Sequence, residues 1–198
     1  YIHNKFLSVG DYNITVEALG SDNYTADIYT TDIHVQNWNW TELQDLIDTP
    51  VNGTVNLGNH TFVHEEGDPE IINVPENTTI NGEGSTIDAN NNPGIFNITS
   101  NNVTIGGMTL TNSSSTPITG NASDITIDGV EIKDSNGGIN ITGENPSVSN
   151  VNLTDINGDG VVVNAGNSTA LIDNVNVNNA TGTGIDVTGN DVIITGSN

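Results

Sequence analysis

The chain has 198 residues, enough for one domain with a real core, and a formal charge of −23 from 25 acidic and 2 basic side chains. Both cations are lysines, Lys5 and Lys133, so phosphate neutralisation is out of reach and neither nucleic acid nor anionic lipid is an expected partner. There is no cysteine, which removes disulfides and thiolate chemistry, and no run of about 18 apolar residues of the kind that crosses a bilayer, so no membrane insertion is expected of this segment.

Asn, Gly, Thr and Ser are abundant. Asn and Gly tolerate the left-handed backbone of tight turns, and Thr, Val and Ile favour strands. Such a chain reads as many short strands joined by many tight turns. The first unit spans residues 1–36. Tyr12, Ile14 and Val16 alternate after a Gly10-Asp11 turn, and Ile28, Thr30, Ile33 and Val35 continue the strand signal. Together with Gly20-Ser21-Asp22-Asn23-Tyr24, this stretch resembles the closing strands of an immunoglobulin-like surface domain. Two or three strands cannot form a core alone, so residues 1–36 are expected to be part of an Ig-like β-sandwich.

The second unit, 37–198, opens with one helix over about 38–49. Trp38, Trp40, Leu43, Leu46 and Ile47 fall near one face, Asn39 or Thr41 can cap the start, and Pro50 stops it. From Val55 the chain repeats. One strand recurs at Gly84-Ser-Thr-Ile87, Gly107-Met-Thr-Leu110, Gly129-Val-Glu-Ile132, Asn150-Val-Asn-Leu153 and Asn174-Val-Asn-Val177, with offsets of 23, 22, 21 and 24 residues. A second recurs at Gly94-Ile-Phe-Asn-Ile98, Thr116-Pro-Ile118, Gly138-Ile-Asn-Ile141, Gly160-Val-Val-Val163 and Gly184-Ile-Asp-Val187. A third includes Thr78-Thr-Ile80, Val103-Thr-Ile105 and Ile125-Thr-Ile127. Three strands per coil, each pairing in parallel with its copy one coil away, make a parallel β-helix. The apolar face of the 38–49 helix is expected to plug the open end of its first coil. A leucine-rich horseshoe has a similar period but needs many leucines, and only Leu110, Leu153 and Leu171 occur beyond residue 78.

The run Asn77-Thr-Thr-Ile-Asn-Gly-Glu-Gly-Ser-Thr-Ile-Asp-Ala89, followed by Gly94–Ile98 and Asn102-Val-Thr-Ile-Gly-Gly-Met-Thr-Leu-Thr-Asn112, resembles the opening coils of the pectate-lyase-like β-helix superfamily. Leu43–Asp48 and Asn52–Leu57 resemble that superfamily's cap and first strand. Within it, the Asn/Thr richness and the Ig-like strands look most like adhesin-like surface proteins of methanogenic archaea. The resemblance covers about residues 40–198. It implies an all-β fold: a right-handed parallel β-helix of about 6–7 coils behind an N-terminal capping helix.

The superfamily includes polysaccharide lyases and hydrolases. Its lyases use an arginine or lysine base beside calcium-binding carboxylates, and its polygalacturonases use Asn-Thr-Asp, Asp-Asp, Gly-His-Gly and Arg-Ile-Lys motifs. None of those motifs is present, there is no arginine, and Lys133 stands alone within the repeats. No catalytic residue and no cofactor is therefore assigned.

The residue two past the second inward apolar side chain is Ala89, Asn112, Asp134, Asp155 and Asn179 in successive coils. This reads as a ladder of stacked turn side chains, with Asn112 expected to be buried. Aspartates on adjacent rungs bring like charges to about 5 Å, so Asp134 and Asp155 form the one candidate cation site, for a structural calcium. His60 and His64 sit beside Glu65 and Glu66 but between turn residues, and are expected to be exposed loop side chains. Sequons with Ser or Thr two residues on occur at Asn13, Asn23, Asn39, Asn52, Asn59, Asn77, Asn97, Asn102, Asn121, Asn140, Asn152, Asn167 and Asn179, besides Asn112.

These features point to a non-enzymatic module of an extracellular or cell-surface protein, its signal and anchor lying outside this segment. Surface glycans or other envelope proteins are the expected partners. The last coil, 191–198, carries no capping helix, so a subunit of an extracellular filament or sheath, self-associating head to tail through open ends, is the expected alternative, and a polysaccharide lyase or glycoside hydrolase of the superfamily the second.

Overall fold

The computed structural model describes residues 38–198 in full and, ahead of them, only the backbone of strands β1 (Gly10–Glu17) and β2 (Ile28–Val35). β1 and β2 pair antiparallel, Gly10 opposite Val35 and Glu17 opposite Ile28. They belong to a unit, Tyr1–Asn37, separate from Trp38–Asn198. An antiparallel pair is common to many β folds. The 20–24 turn, Asn23 and the side chain of Asn13 lie outside the described residues.

Helix α1 (Trp40–Asp48) begins two residues later than its apolar pattern suggests. The reason is the cap: the Asn39 side-chain oxygen accepts the Glu42 N–H at 3.0 Å, and Asn39 itself sits in a β-bridge with Val63. Trp38 is thus outside the helix. Trp40, Leu43 and Ile47 are fully buried, while Trp38 and Leu46 lie half-buried against the same core. Each fully buried side chain of this size contributes roughly 1.5–3 kcal/mol.

Strands β3 (Thr54–Asn56), β4 (Thr61–Val63) and β5 (Ile72–Asn73) form the first coil. The second is β6 (Thr79–Asn81), β7 (Thr86–Asp88) and β8 (Phe96–Ile98). From there the first two strands of each coil fuse into one long bent strand. The pairs are β9 (Val103–Thr111) with β10 (Ile118–Asn121), and β11 (Ile125–Ser135) with β12 (Ile139–Thr142). They continue as β13 (Ser147–Ile156) with β14 (Val161–Asn164), and β15 (Thr169–Ala180) with β16 (Ile185–Thr188), before β17 (Asp191–Thr195). The order β17-β15-β13-β11-β9-β6-β3 makes the long sheet, with β4 and β7 continuing its second limb, and β16-β14-β12-β10-β8-β5 makes the short sheet. Every pairing in both sheets is parallel. The step between coils runs from 21 residues (Ile127 to Val148) to 25 (Val55 to Ile80). The result is a parallel β-solenoid of about six turns.

Period-2 alternation sends one residue in two inward. Val55, Ile80, Ile105, Ile127, Val148 and Ile172 stack as one interior column, and Phe62, Ile87, Leu110, Ile132 and Leu153 as a second. Ile72, Phe96, Ile118, Ile139 and Val161 form the third, on the short sheet. All three columns are buried. At the entrance to the short sheet the coils come closer than a side chain allows. A Cβ on Gly138 would strike the Gly160 carbonyl oxygen and the Leu153 side chain, and one on Gly160 would strike the Gly184 oxygen and Val177. In the last coil, Val192, Ile193 and Ile194 are 40–50% exposed.

Candidate functional site

The chemistry on the solenoid's surface derives from its corners. Where the chain leaves one strand for the next it passes through a left-handed residue, a conformation open to Gly and cheap for Asn and Asp. These residues stack into columns. Asn112, Asp134, Asp155 and Asn179 share φ between 52° and 60°. A second column is Gly107, Gly129, Asn150 and Asn174, which bends the fused strands. A third is Asn52, Asn77, Asn102, Asp124 and Asn145, each two residues before the outward Thr54, Thr79, Thr104, Thr126 and Ser147.

Side chains hydrogen-bond up the columns. Asn179 Nδ2 donates to Asp155 Oδ1 at 2.5 Å, Asn112 Nδ2 to Asp88 Oδ1 at 3.0 Å, Asn174 Nδ2 to Asn150 Oδ1 at 2.9 Å and Asn102 Nδ2 to Asn77 Oδ1 at 2.9 Å. The geometry corrects three expectations. Ala89 is not a rung: it is buried in the interior, and Asp88 supplies the acceptor instead. Asn112 is exposed, because its left-handed backbone turns the side chain outward, and it is Ser113 that is buried. Nor is there a single ladder, since two further columns repeat at the same 21–25-residue offsets. That spacing is present in the sequence beside the strands that define the coil.

Asp134 and Asp155 do occupy neighbouring rungs, and both are exposed. One oxygen of Asp155 is taken by Asn179. Among the described residues, no three His, Asp or Glu side chains converge as a metal-binding group would.

His60 and His64 are half-buried, not exposed loop groups. They flank β4 and pack on the tryptophans of the cap. His60 stacks on Trp38 with ring centroids 3.7 Å apart, and His64 meets Trp40 edge-on at 4.8 Å. The sequence carries a signal for this: β4 puts residues four apart on the same side as the helix it underlies. The loop after His64 closes the cap through Asp68. Its carboxylate accepts the Trp40, Thr41 and Glu65 backbone N–H groups and the Thr41 hydroxyl, at 2.6–3.1 Å. With Asn39, this satisfies the first N–H groups of α1. Partial burial pushes the Asp68 carboxyl up, but the Thr41 hydroxyl and those three N–H groups outweigh it and hold it below the usual carboxylate range.

The outer face of the short sheet differs from the rest of this acidic molecule. In register across β5, β8, β10, β12 and β14 it presents Asn73, Asn97, Thr119, Asn140 and Val162, and beside them Asn121, Thr142 and Asn164. None is charged; the first charge in the main column is Asp186 on β16. A shallow depression of about 480 Å³ runs along this face past Asn121, Thr142 and Asn164 to Glu144 and Asn167. A second depression of about 320 Å³ joins Asn121 to Asn97 and Asn140. Lys133, the one cation among the described residues, lies on the long sheet in register with Thr111 and Thr154, away from both depressions. The neutral face can accept and donate hydrogen bonds through amides and hydroxyls. It holds no adjacent carboxylate and cation with which to abstract a proton.

The described sequon asparagines are all exposed or half-exposed. They separate by what their amides do. Asn102, Asn112 and Asn179 commit their nitrogens to the ladders, and Asn97 donates to Asn73 at 3.4 Å. Asn39, Asn77 and Asn152 accept through their oxygens. Asn52, Asn59, Asn121, Asn140 and Asn167 make no side-chain hydrogen bond with the described residues.

Comparison with curated proteins and with solved structures returns no match. The family model described as the right-handed β-helix region matches residues 70–198, well over half of the chain. With its stacked parallel coils, aliphatic interior and left-handed corners, the chain belongs to the right-handed β-helix family.

Proposed function

We propose that this chain is a non-enzymatic structural and adhesive module of an extracellular or cell-surface protein. The family hosts enzymes and non-enzymes alike, so the reading rests on the surface and not on the fold. The observation that carries it is the neutral outer face of the short sheet, whose groups are amides, hydroxyls and one valine. Eliminating or hydrolysing a sugar polymer calls for a general base or a carboxyl pair at the bond being broken. An acidic polymer would also meet a surface of its own sign, with 25 acidic side chains against 2 basic ones in the chain. The resemblance to adhesin-like surface proteins supports the same reading, as do the sequons.

The test has two arms. Antibody labelling and protease shaving of intact source cells are expected to reach this segment. Incubation with polygalacturonate and with a panel of neutral glycans, with and without added calcium, is expected to give no new reducing ends and no unsaturated product. Turnover of any of them overturns the non-enzymatic reading, and inaccessibility on intact cells overturns the surface reading.

A further inference from the structure

We infer that the neutral face of the short sheet, with the turn that borders it after β14, is a glycan-acceptor surface, modified at Asn121 and Asn140 on the sheet and at Asn167 in the turn. This rests on the proposed export of the chain and deepens it. Three observations converge. First, six of the twelve described sequons, at Asn52, Asn59, Asn77, Asn102, Asn112 and Asn179, fall on left-handed turn residues and so have a structural origin that owes nothing to glycan. In the third corner column, Asn52, Asn77 and Asn102 are left-handed turn residues with an outward threonine two positions on. In the next two coils the same corner is built by Asp124, which cannot be glycosylated, and by Asn145, whose neighbour Pro146 blocks the sequon. The corner is retained there and the acceptor is not.

Second, Asn121, Asn140 and Asn167 do not occupy left-handed corners, and their amides are uncommitted. Asn102, Asn112 and Asn179, by contrast, donate through the nitrogen that would carry the sugar. A sugar on a rung would stand between side chains only about 4.8 Å apart and force the ladder open. Third, these three uncommitted acceptors outside the left-handed corners are not scattered. Asn121 and Asn167 line one depression, and Asn121 and Asn140 line the one that adjoins it, on a stretch of surface whose one charged lining residue is Glu144. Sugars attached there cover mainly amides and hydroxyls, which can hydrogen-bond to them, and meet a single carboxylate, Glu144.

The reaction is transfer from a lipid-phosphate-linked oligosaccharide during export. The Asn Nδ2 attacks the anomeric carbon, the N–C bond forms, the C–O bond to phosphate breaks, the lipid phosphate leaves with the bonding pair and the amide gives up one proton.

Glycopeptide mass mapping of the protein isolated from its source cells tests this. Glycan is expected at Asn121, Asn140 and Asn167, with occupancy at least about tenfold above that at Asn102, Asn112 and Asn179. Ser123→Ala, Thr142→Ala and Thr169→Ala each leave their asparagine in place and are expected to abolish glycan at Asn121, Asn140 and Asn167 respectively. Bare peptides at all three positions, or rungs modified as fully as the face, overturn the inference. So does glycan that survives loss of the hydroxyl residue. If intact-cell labelling places the chain outside while all three asparagines are bare, the acceptor face fails and the surface module stands. If labelling finds it inside the cell, both fail.

Discussion

Eleven of the fifteen non-glycine residues with left-handed backbone among the described residues are asparagine, three are aspartate and one is glutamate. The composition of this chain is therefore largely a statement about its corners. A short polar side chain makes the left-handed conformation cheap and then reaches the next coil, so one residue type serves both turn and ladder. Asp68 serves a different end, tying the 64–68 loop to the first turn of α1. Its folded pKa is depressed, so its stabilisation is complete above the ordinary carboxylate value of 3.8 and is lost as pH falls through the lower folded value. Asp68→Ala is expected to remove about 1 kcal/mol, the usual worth of a helix-capping side chain. The stability difference between wild type and variant should shrink as pH falls through that lower value. Tryptophan fluorescence reports the cap directly, since Trp38 and Trp40 are the only tryptophans. Coincident acid titrations of the two proteins would refute this role.

At the scale of elements, the strands are legible in the sequence because an Ile/Val pattern of period 2 repeats at 21–25 residues, and no other architecture uses that combination so fully. The helix is legible from one apolar face, but its first turn is not: Asn39 serves at once as bridge residue and cap, and only the position of β4 decides that. The burial of the histidines is hidden for the same reason, since their tryptophan partners come from the helix laid over them. The ladder pattern misses by one residue at Ala89, where the corner falls later, at the left-handed Asn90 and Asn91. Glycine at the start of the short-sheet strands carries more than turn freedom. Gly138→Ala places a methyl against the Gly160 carbonyl and Leu153, and is expected to cost about 1–3 kcal/mol by overpacking. Chemical denaturation measures it, and an unchanged midpoint would show that the coils can spread to admit a side chain.

For the molecule as a whole, each coil's strand contacts are with the coils beside it, and no strand pairs with one further along the stack. Stability in such an array is close to a sum over neighbouring interfaces, and its 20 acidic side chains, against the one lysine Lys133, are spread along its length instead of being concentrated in a site. The neutral face is the exception, which is why it carries the functional argument. It is not legible as a face in the sequence, because Asn97, Thr119 and Asn140 come together only once the coil register is fixed.

The parallel stacking has a mechanical meaning as well. Hydrogen bonds between coils run along the solenoid axis, so tension applied at the two ends of Trp38–Asn198 loads one interface at a time, and the terminal coil peels first. A freed coil of about 22 residues extends to roughly 75 Å where it had occupied about 4.8 Å of axis. Pulled in an optical trap, the segment is expected to lengthen in a series of steps of that size. A single rip of the full contour would instead mean that the interfaces yield together. Stepwise peeling of this kind would let the segment absorb extension while the coils still folded keep their stacking.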